Sequence, residues 1–329
     1  MSKFSAFRIH ERDKKIMAGF ETMSTEELTP GEVLIRVRFS SINYKDALAA
    51  TGAGRILRHY PLNGGIDLAG EIASSGDLRY QPGEKVLVTG CGLSETVDGG
   101  YAGYARVAGD SVIRLPEGFD LSHAMVIGTA GFTAALAIHR MEHNGQSPAR
   151  GPVVVTGASG GVGSIAVDLL AGRGYEVVAV SGKPEADEFL KALGAKTILR
   201  RQEIDLGSRP MEAVRWAGAV DNVGGELLTW LTRTMDFWGN IASIGLAGSP
   251  KLETTVLPFI LRGVNLLGIN SSSTPRDLRL EVWQRLASDL RPRHFDRLLT
   301  RTIEFDELPS AFDDYMKGRV LGRTVVKIA

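Results

Sequence analysis

Cysteine is almost absent from this chain of 329 residues, and its one example, Cys91, excludes an internal disulfide and any cysteine-rich zinc site. Net charge is also absent, because 38 Lys and Arg balance 38 Asp and Glu, which argues against a nucleic acid or an anionic membrane as partner. No apolar run reaches the ~18 residues of a membrane span, and charges precede any apolar run at the N-terminus, unlike in a signal peptide. These absences predict a cytoplasmic protein without a cysteine-rich metal site.

Glycine, by contrast, is abundant: 39 of 329 residues, about 12% against the usual ~7%. The length predicts two domains. Residues 1–122 show short strands after the turns Pro30-Gly31 and Pro82-Gly83, typical of a β-rich barrel or sandwich. Residues 123–262 alternate strands with helices, which predicts a doubly wound parallel sheet of the Rossmann type. Residues 263–329 are expected to give its last strand and then return to the first domain.

The most specific motif is the glycine-rich run from Thr156 to Gly163. It follows the apolar strand pattern of residues 152–156 and precedes an amphipathic helix, the context of a dinucleotide fingerprint. Small residues let the backbone approach a pyrophosphate at the positive end of the helix. We therefore predict a cofactor phosphate site here, a plain tight turn being the alternative. Its predicted contacts are Ser159, Gly160, Gly161 and Val162.

The residues after the next strand indicate which dinucleotide is bound. An acidic residue usually binds the free ribose 2′-hydroxyl at this point, but the chain has Ser181-Gly182-Lys183. A hydroxyl, an N–H group and an ammonium all donate to a 2′-phosphate, and Arg201 follows on the next strand. We predict NADPH as cofactor. The alternative is that Lys183 and Arg201 are solvated surface charges.

Later strand ends add further candidates. Leu246, Asn270 and Ser271 follow strands of the predicted parallel sheet, at the edge where such sheets bind ligands. We predict that all three contact the cofactor, with Asn270 and Ser271 also able to donate to a substrate oxygen. The glycines around Leu246 could equally be turn formers.

The chain resembles the medium-chain dehydrogenase/reductase superfamily, and within it the zinc-free acryloyl-CoA reductase branch also labelled quinone oxidoreductase. The resemblance covers essentially the whole chain and implies a GroES-like catalytic domain beside the Rossmann domain. It also implies a homodimer. The segments that carry it, besides the glycine-rich run, are residues 43–49, 65–70, 128–134 and 254–269.

The resemblance also suggests roles for residues of the first domain. Zinc-dependent relatives carry Cys and a His-Glu pair where this chain has Asn43 to Asp46 and Asp67, so no zinc is expected. Tyr44 is similar to a tyrosine that contacts the cofactor, and Thr129 is expected at the nicotinamide carboxamide. The catalytic candidates are Tyr44, Asn43 and Asp67: Tyr44 is either proton donor or positioning residue, and Asn43 and Asp67 either take part in chemistry or order their loops.

The expected reaction is NADPH-dependent reduction of the C=C bond of a 2-enoyl-CoA thioester, with acryloyl-CoA giving propanoyl-CoA. A quinone or enone reductase and a non-catalytic NADPH-binding sensor remain as alternatives. A CoA thioester brings phosphates, which arginines could bind by charge-assisted hydrogen bonds, unless these arginines only face water. The candidates are Arg55, Arg58, Arg276, Arg291 and Arg293.

Overall fold

The structure, a computed structural model, describes residues 3–329. The strands are β1 (Lys3–Arg12), β2 (Lys15–Ser24), β3 (Val33–Ile42), β4 (Leu62–Asn63), β5 (Asp67–Ser75), β6 (Lys85–Thr89), β7 (Tyr104–Val107), β8 (Ile113–Arg114), β9 (Val153–Thr156), β10 (Val177–Ser181), β11 (Thr197–Arg200), β12 (Trp216–Asp221), β13 (Met235–Ser243), β14 (Asn265–Gly268), β15 (Leu299–Glu304) and β16 (Arg323–Lys327). The helices are α1 (Tyr44–Thr51), α2 (Leu121–His143), α3 (Gly161–Gly172), α4 (Asp187–Ala192), α5 (Gly225–Thr234), α6 (Leu257–Arg262), α7 (Arg276–Leu286), α8 (Phe295–Leu298) and α9 (Leu308–Met316).

The chain forms two compact units. The first unit runs to Thr129 and includes Ser271–Ala287 and Leu299–Ala329, and the second unit comprises Ala130–Asn270 and Ser288–Leu298. The boundary thus lies seven residues after the predicted end of the first domain at residue 122, because the backbone N–H of Thr129 is bound by a carboxylate of the first unit. Ser288–Leu298 belong again to the second unit, and the last segment, Leu299–Ala329, belongs to the first.

The first unit is built from antiparallel strand pairs, with the exception of β15 and β16, which are parallel. Its larger sheet has the order β15-β16-β3-β5-β6-β8, with β7 also paired to β3, and a smaller sheet has the order β2-β1-β4. Alternate residues of β3 and β6, among them Val33, Ile35 and Val86, are fully buried and form the core. The hairpin β1–β2 lies in a region for which no individual strands were predicted.

The second unit contains one six-stranded sheet of order β11-β10-β9-β12-β13-β14, parallel throughout. Its central strand β9 has every side chain buried, as a strand covered on both faces requires. The order reverses between β9 and β12, which is the position where such sheets bind ligands. The predicted fold class, a GroES-like β-rich domain with a doubly wound parallel sheet, is confirmed.

By length and composition helix α2 is long and apolar enough to cross a membrane. However, 83% of its apolar 18-residue stretch is buried inside the protein. Its helical geometry breaks at Gly128, where φ is 49° and ψ is −158°. The break divides α2 into a short segment before Gly128 and a longer one that begins at Thr129.

Candidate active site

Asp67, the first residue of β5, is the centre of a buried polar network in the first unit. Its side chain is inaccessible to solvent. One carboxylate oxygen accepts the hydroxyl of Thr129 at 2.6 Å, and the other accepts the hydroxyl of Ser41 at 2.6 Å and the amide of Asn43 at 2.7 Å. The backbone N–H of Thr129 lies 2.9 and 3.0 Å from the two oxygens. With its acceptor positions occupied, Asp67 positions its neighbours and has no contact with solvent or an open site.

Arg323, the first residue of β16, supplies the positive charge of this network and is 1% exposed. Its guanidinium donates to the hydroxyl of Ser41 at 2.8 Å and to the side-chain oxygen of Asn43 at 3.2 Å. The backbone carbonyls of Val126 and Ile42 accept its other N–H groups at 2.9 and 3.2 Å. A buried guanidinium is tolerated because each of these partners replaces water. The sequence analysis missed Arg323, since nothing distinguishes it in sequence from the other basic residues near the C-terminus.

Asp46 adds a second buried carboxylate, on the first turn of α1. It accepts the backbone N–H of Asn43 at 2.8 Å, as in a capping box, and that of Ile66 at 2.9 Å. Burial raises the pKa of Asp46 to about 7, and the charge of Asp67 adds to the rise, while these N–H donors act in the opposite direction. The side-chain amide of Asn43 also donates to Asp46 at 3.3 Å, in addition to its bonds with Asp67 and Arg323. These bonds favour the loop-ordering role of Asn43 over direct chemistry.

Tyr44 and Thr129 are the side chains that this network presents. Tyr44 begins α1 directly after Asn43, is 46% exposed, and its hydroxyl has no hydrogen-bond partner among residues 3–329. Thr129 is half-buried and gives its hydroxyl proton to Asp67, and a hydroxyl oxygen that donates in this way can also accept. An acceptor at this position suits the NH2 group of a carboxamide.

The backbone at Gly128 lies so close to this network that only glycine fits there. Its φ of 49° disfavours other residues, and a Cβ atom there would lie 2.6 Å from an oxygen of Asp67, 2.8 Å from Arg323 Nη2 and 2.9 Å from Ser41 Oγ. Gly128 belongs to the family-like segment 128–134, but the sequence alone gives no reason for a glycine at this position. The reason is the close approach of three distant segments.

The glycine-rich turn of the second unit connects β9 to α3. Gly160 occupies the N-cap of α3 without any side-chain cap, so the first N–H groups of the helix have no side-chain acceptor at the cap. At Gly163 a Cβ atom would lie 2.3 Å from the carbonyl oxygen of Gly157, so the turn can close only with glycine there. Half-buried Gly160, Gly161 and Val162 line the end of the helix. This geometry fits a cofactor pyrophosphate.

A buried aspartate fixes the turn from the neighbouring strand. Asp221, the last residue of β12, accepts the hydroxyl of Thr156 at 2.6 Å and the backbone N–H of Gly224 at 2.9 Å. Burial raises the pKa of Asp221, and these hydrogen bonds oppose the rise. Asn222 closes the link, since its side chain donates to the carbonyl of Thr156 at 2.8 Å. Asp221 and Asn222 were not among the residues predicted for this site.

The predicted 2′-phosphate site lies at the end of β10. The buried hydroxyl of Ser181 accepts the backbone N–H of Lys183 at 3.1 Å and donates to the hydroxyl of Ser159 at 3.4 Å, so the fold brings the two serines together. Burial lowers the pKa of the Lys183 ammonium, and Glu185 acts in the opposite direction. Gly182, between Ser181 and Lys183, is exposed, and the side chain of Gln202 lies next to it. A half-buried ammonium beside hydroxyls fits an incoming dianion.

Arg201 follows β11 by one residue, at the same edge of the sheet, where Ser181 is paired with Arg200. Its side chain lines a cavity of about 530 Å³ together with Gly224, Gly225 and Gly248. Its guanidinium makes no hydrogen bond or ion pair with the described residues, whereas Arg200 pairs with Asp187.

The remaining candidates lie in loops after β13 and β14. Leu246 is 62% exposed in the first of them. Asn270 is the last residue of the second unit's main segment, and Ser271 begins a segment of the first unit. There the buried Arg279 donates to the carbonyl of Ser271 at 2.8 Å and to that of Thr89 at 2.8 Å. Arg279 is a second buried arginine that the sequence analysis missed.

Within residues 3–329 no group of three or more His, Cys, Asp or Glu side chains is placed to hold a metal ion.

Two family models match the chain: one described as an alcohol dehydrogenase GroES-like domain over residues 29–117, and one described as a zinc-binding dehydrogenase over residues 161–288. The curated relative named "Putative quinone oxidoreductase YhfP", from Bacillus subtilis, is 45% identical over 99% of both chains. This chain belongs to the medium-chain dehydrogenase/reductase family. A solved structure of yhfP from the same species, with NAD bound, gives a TM-score of 0.96 at 45% identity and covers 99% of this chain and 100% of that one.

Two further members of the family bear on function. The acrylyl-CoA reductase AcuI of Ruegeria pomeroyi is 46% identical, over 97% of this chain and 96% of its own. The crystal structure of Escherichia coli K-12 YhdH with bound NADPH has a TM-score of 0.95 at 45% identity and covers 98% of this chain and 100% of that one. The predicted family is confirmed, including its branch.

Proposed function

We propose that this family member reduces the C=C bond of a 2-enoyl-CoA thioester with NADPH, converting acryloyl-CoA to propanoyl-CoA. The observation that carries the proposal is the buried network of Asp67 and Arg323, which presents the Tyr44 hydroxyl and the Thr129 oxygen at the surface of the first unit. The relative named acrylyl-CoA reductase supports the substrate class.

NADPH, when bound, supplies a hydride that adds to the β-carbon of the enoyl thioester. The electron pair of the C=C bond then moves toward the carbonyl oxygen, and a proton from water reaches the α-carbon. Tyr44 is placed to orient the nicotinamide or to donate a hydrogen bond to the developing enolate oxygen, and only the second role would contribute about 3 kcal/mol. Thr129 would accept from the carboxamide NH2, with its orientation fixed by Asp67.

For the second unit we propose that the N-terminus of α3 binds the pyrophosphate and that Ser181, Gly182 and Lys183 bind the 2′-phosphate. The absence of an acidic residue among these three supports NADPH over NADH. Arg201 and Leu246 would line the adenosine end, and Asn270 and Ser271 the nicotinamide end.

The test measures the decrease in NADPH absorbance when the purified protein is given acryloyl-CoA, crotonyl-CoA or a benzoquinone in separate parallel assays. We expect turnover with the thioesters, and loss of most of it in Thr129→Val, which keeps the shape of the side chain but removes the acceptor. Thr197→Val, on an exposed position of β11, is the matched control and should keep full activity. Turnover with the quinone alone would refute the thioester assignment.

A quinone or enone reductase is the second candidate, and the relative named quinone oxidoreductase favours it. It needs the same hydride geometry but no contacts to CoA. Binding of NADPH without turnover of any of these substrates would instead identify a sensor.

We also propose a homodimer formed through β14, the edge strand of the six-stranded sheet. Trp238, Ile260, Leu261 and Leu266 leave an apolar surface beside this edge, with Trp238 and Ile260 each 67% exposed. A second copy could both cover this surface and pair with the free strand edge. Sedimentation of Leu266→Lys should show a monomer, whereas Leu78→Lys, at a 96% exposed position of the first unit, should not change the mass. An unchanged mass in both would refute this interface.

Finally, we propose a cytoplasmic location, with no membrane or nucleic acid as partner. A single cysteine and a net charge of zero support it. Fractionation of cells that carry the tagged chain tests it: recovery with membranes or nucleic acid would be contrary to the proposal.

A further inference from the structure

We propose that Arg55 and Arg58 bind the phosphate groups of the CoA moiety and so determine the specificity for CoA thioesters. This inference rests on the proposed function and deepens it. Both arginines are exposed on the loop of residues 52–60, which follows α1 and therefore Tyr44.

The loop is anchored so that it holds its two arginines in place. Gly52 ends α1 in the left-handed conformation, and the N–H of Gly54 donates back to the carbonyl of Leu48 at 3.2 Å. Leu57, between the two arginines, is 1% exposed and packs in a small core with residues of α1, β1 and β4. An anchored loop loses little conformational freedom when a ligand binds to its side chains.

Glu95 connects this loop to the candidate site. Its backbone carbonyl accepts the N–H of Arg58 at 2.8 Å. Its carboxylate pairs with Lys45, the residue after Tyr44, and accepts the hydroxyl of Ser272 at 3.1 Å. The backbone of Arg58 is thus held by the same residue that holds the neighbour of Tyr44.

The loop carries unneutralised positive charge. Among the described residues neither guanidinium makes a hydrogen bond or an ion pair, and residues 52–60 include no Asp or Glu. Glu95 is occupied by Lys45. The exposed Glu11 also acts on this loop: burial raises the pKa of Tyr60, Glu11 adds to the rise and Arg55 opposes it. Two unpaired guanidiniums against one exposed carboxylate leave a site for an anion.

The other three arginine candidates for this role are engaged elsewhere. Arg276 donates to the carbonyl of Asp110 at 2.5 Å and to the hydroxyl of Tyr80 at 2.9 Å. Arg293 lies 3.7 Å from the buried carboxylate of Asp168. Arg291 also has a partner within the fold. The structure therefore reduces five candidates to two.

The chemistry favours a phosphate over other anions. A guanidinium offers two parallel N–H donors that match two phosphate oxygens, and such bonds are about twice as strong as neutral ones. CoA carries a 3′-phosphate and a diphosphate, whereas a quinone carries none. The same two arginines therefore separate the two candidate functions.

The test is the double variant Arg55→Gln/Arg58→Gln, assayed with acryloyl-CoA and with acryloyl-pantetheine, which lacks the phosphates. We expect KM for acryloyl-CoA to rise by about tenfold or more, since two charge-assisted bonds are lost. We expect kcat to stay unchanged, and KM for acryloyl-pantetheine to equal that of the unmodified protein. The matched control is Arg36→Gln/Lys85→Gln, which removes two exposed charges on β3 and β6, with Lys85 four residues along β6 from Thr89, the residue paired with Asp67.

Calorimetric titration with adenosine 3′,5′-bisphosphate makes the result independent of turnover. Weaker binding of the bisphosphate to Arg55→Gln/Arg58→Gln, with normal binding to the control, supports the inference. This holds even if the unmodified protein does not reduce acryloyl-CoA and the proposed function is refuted. Equal KM values and equal binding in both double variants would overturn the inference, even if acryloyl-CoA proves to be the substrate.

Discussion

The two candidate sites of this molecule are built in opposite ways. In the first unit, three buried ionisable side chains and two half-buried polar ones converge from four distant parts of the chain: Asp46, Asp67 and Arg323 with Asn43 and Thr129. In the second unit, one continuous run from Thr156 to Gly163 forms the site with backbone groups and small residues.

This difference determines what each site tolerates. A buried charge network fails when one partner is removed, because the others are left without their counter-charge. A turn closed by glycine fails when an atom is added, because the backbone has no space for it. The predictions below test this contrast, beginning with the largest expected effect.

Replacing Arg323 with Met should have the largest effect. It leaves Ser41, Asn43 and two backbone carbonyls without their donor, at a cost of about 3–5 kcal/mol in the free energy of unfolding. The midpoint of thermal unfolding and kcat should both fall in Arg323→Met. Arg323→Lys should recover only part of the lost stability, because an ammonium lacks the planar set of N–H donors of a guanidinium. Arg319→Met, at an exposed ion pair with Asp314, is the control. Equal stability of the two Met variants would disprove a structural role for the buried charge.

Removing the donors Ser181 and Lys183 should change the cofactor preference. Charge-assisted hydrogen bonds contribute about 1.5–3 kcal/mol, so the double variant Ser181→Ala/Lys183→Gln should lower the preference for NADPH over NADH by roughly ten- to a hundredfold. The ratio of kcat/KM for the two nucleotides measures it. Lys196→Gln, at an exposed pair with Glu176, serves as control. An unchanged ratio would show that the 2′-phosphate binds elsewhere.

Adding one methyl group at Gly163 should weaken cofactor binding. The new Cβ would lie 2.3 Å from the carbonyl of Gly157 and 2.7 Å from Ala158 Cα, so the turn must move. We expect the Kd for NADPH, measured by fluorescence titration, to rise about tenfold in Gly163→Ala. At Gly268 a new Cβ would have no atom within 4 Å, so Gly268→Ala should bind normally. Normal binding by both variants would contradict the role of close backbone approach.

The buried carboxylate of Asp46 should make stability depend on pH. Its pKa is about 7 in the folded protein and ~3.9 in the unfolded chain, so the folded state holds the proton more tightly. Its contribution to stability is therefore complete below about pH 4 and is lost as the pH rises through about 7. Between pH 5 and 7.5 the thermal midpoint should fall more steeply in the unmodified protein than in Asp46→Asn. Parallel curves would mean that Asp46 is ionised throughout.

Tyr44→Phe should have the smallest effect. The Tyr44 hydroxyl has no hydrogen-bond partner in the described structure that could relay a proton to it, so we expect a loss in kcat of less than about tenfold, consistent with a positioning role. Steady-state rates with the thioester measure this. A loss of about a thousandfold would instead identify Tyr44 as the proton donor.

Much of the fold and half of the site could be predicted from local sequence. The strand before Gly157 and the amphipathic helix after it predict a candidate phosphate site, and this pattern can be read from the sequence because the two elements are contiguous. The roles of Arg323 and Arg279 could not be predicted, because each is buried by partners up to 282 residues away in the chain. Arg276 shows the converse: in sequence it is a candidate phosphate ligand, but in the fold it binds backbone carbonyls of the first unit.

The sequence by itself determined the parallel sheet, the glycine-rich turn and the residues at the end of β10, because hydrophobic periodicity and backbone freedom are properties of neighbouring residues. Only the tertiary structure decided that Asn43 and Asp67 are internal supports, that Tyr44 and Thr129 are presented, and that Arg55 and Arg58 remain unpaired. Hydrogen bonding and charge neutralisation depend on which distant segments of the chain come into contact, and the local sequence pattern does not contain that information.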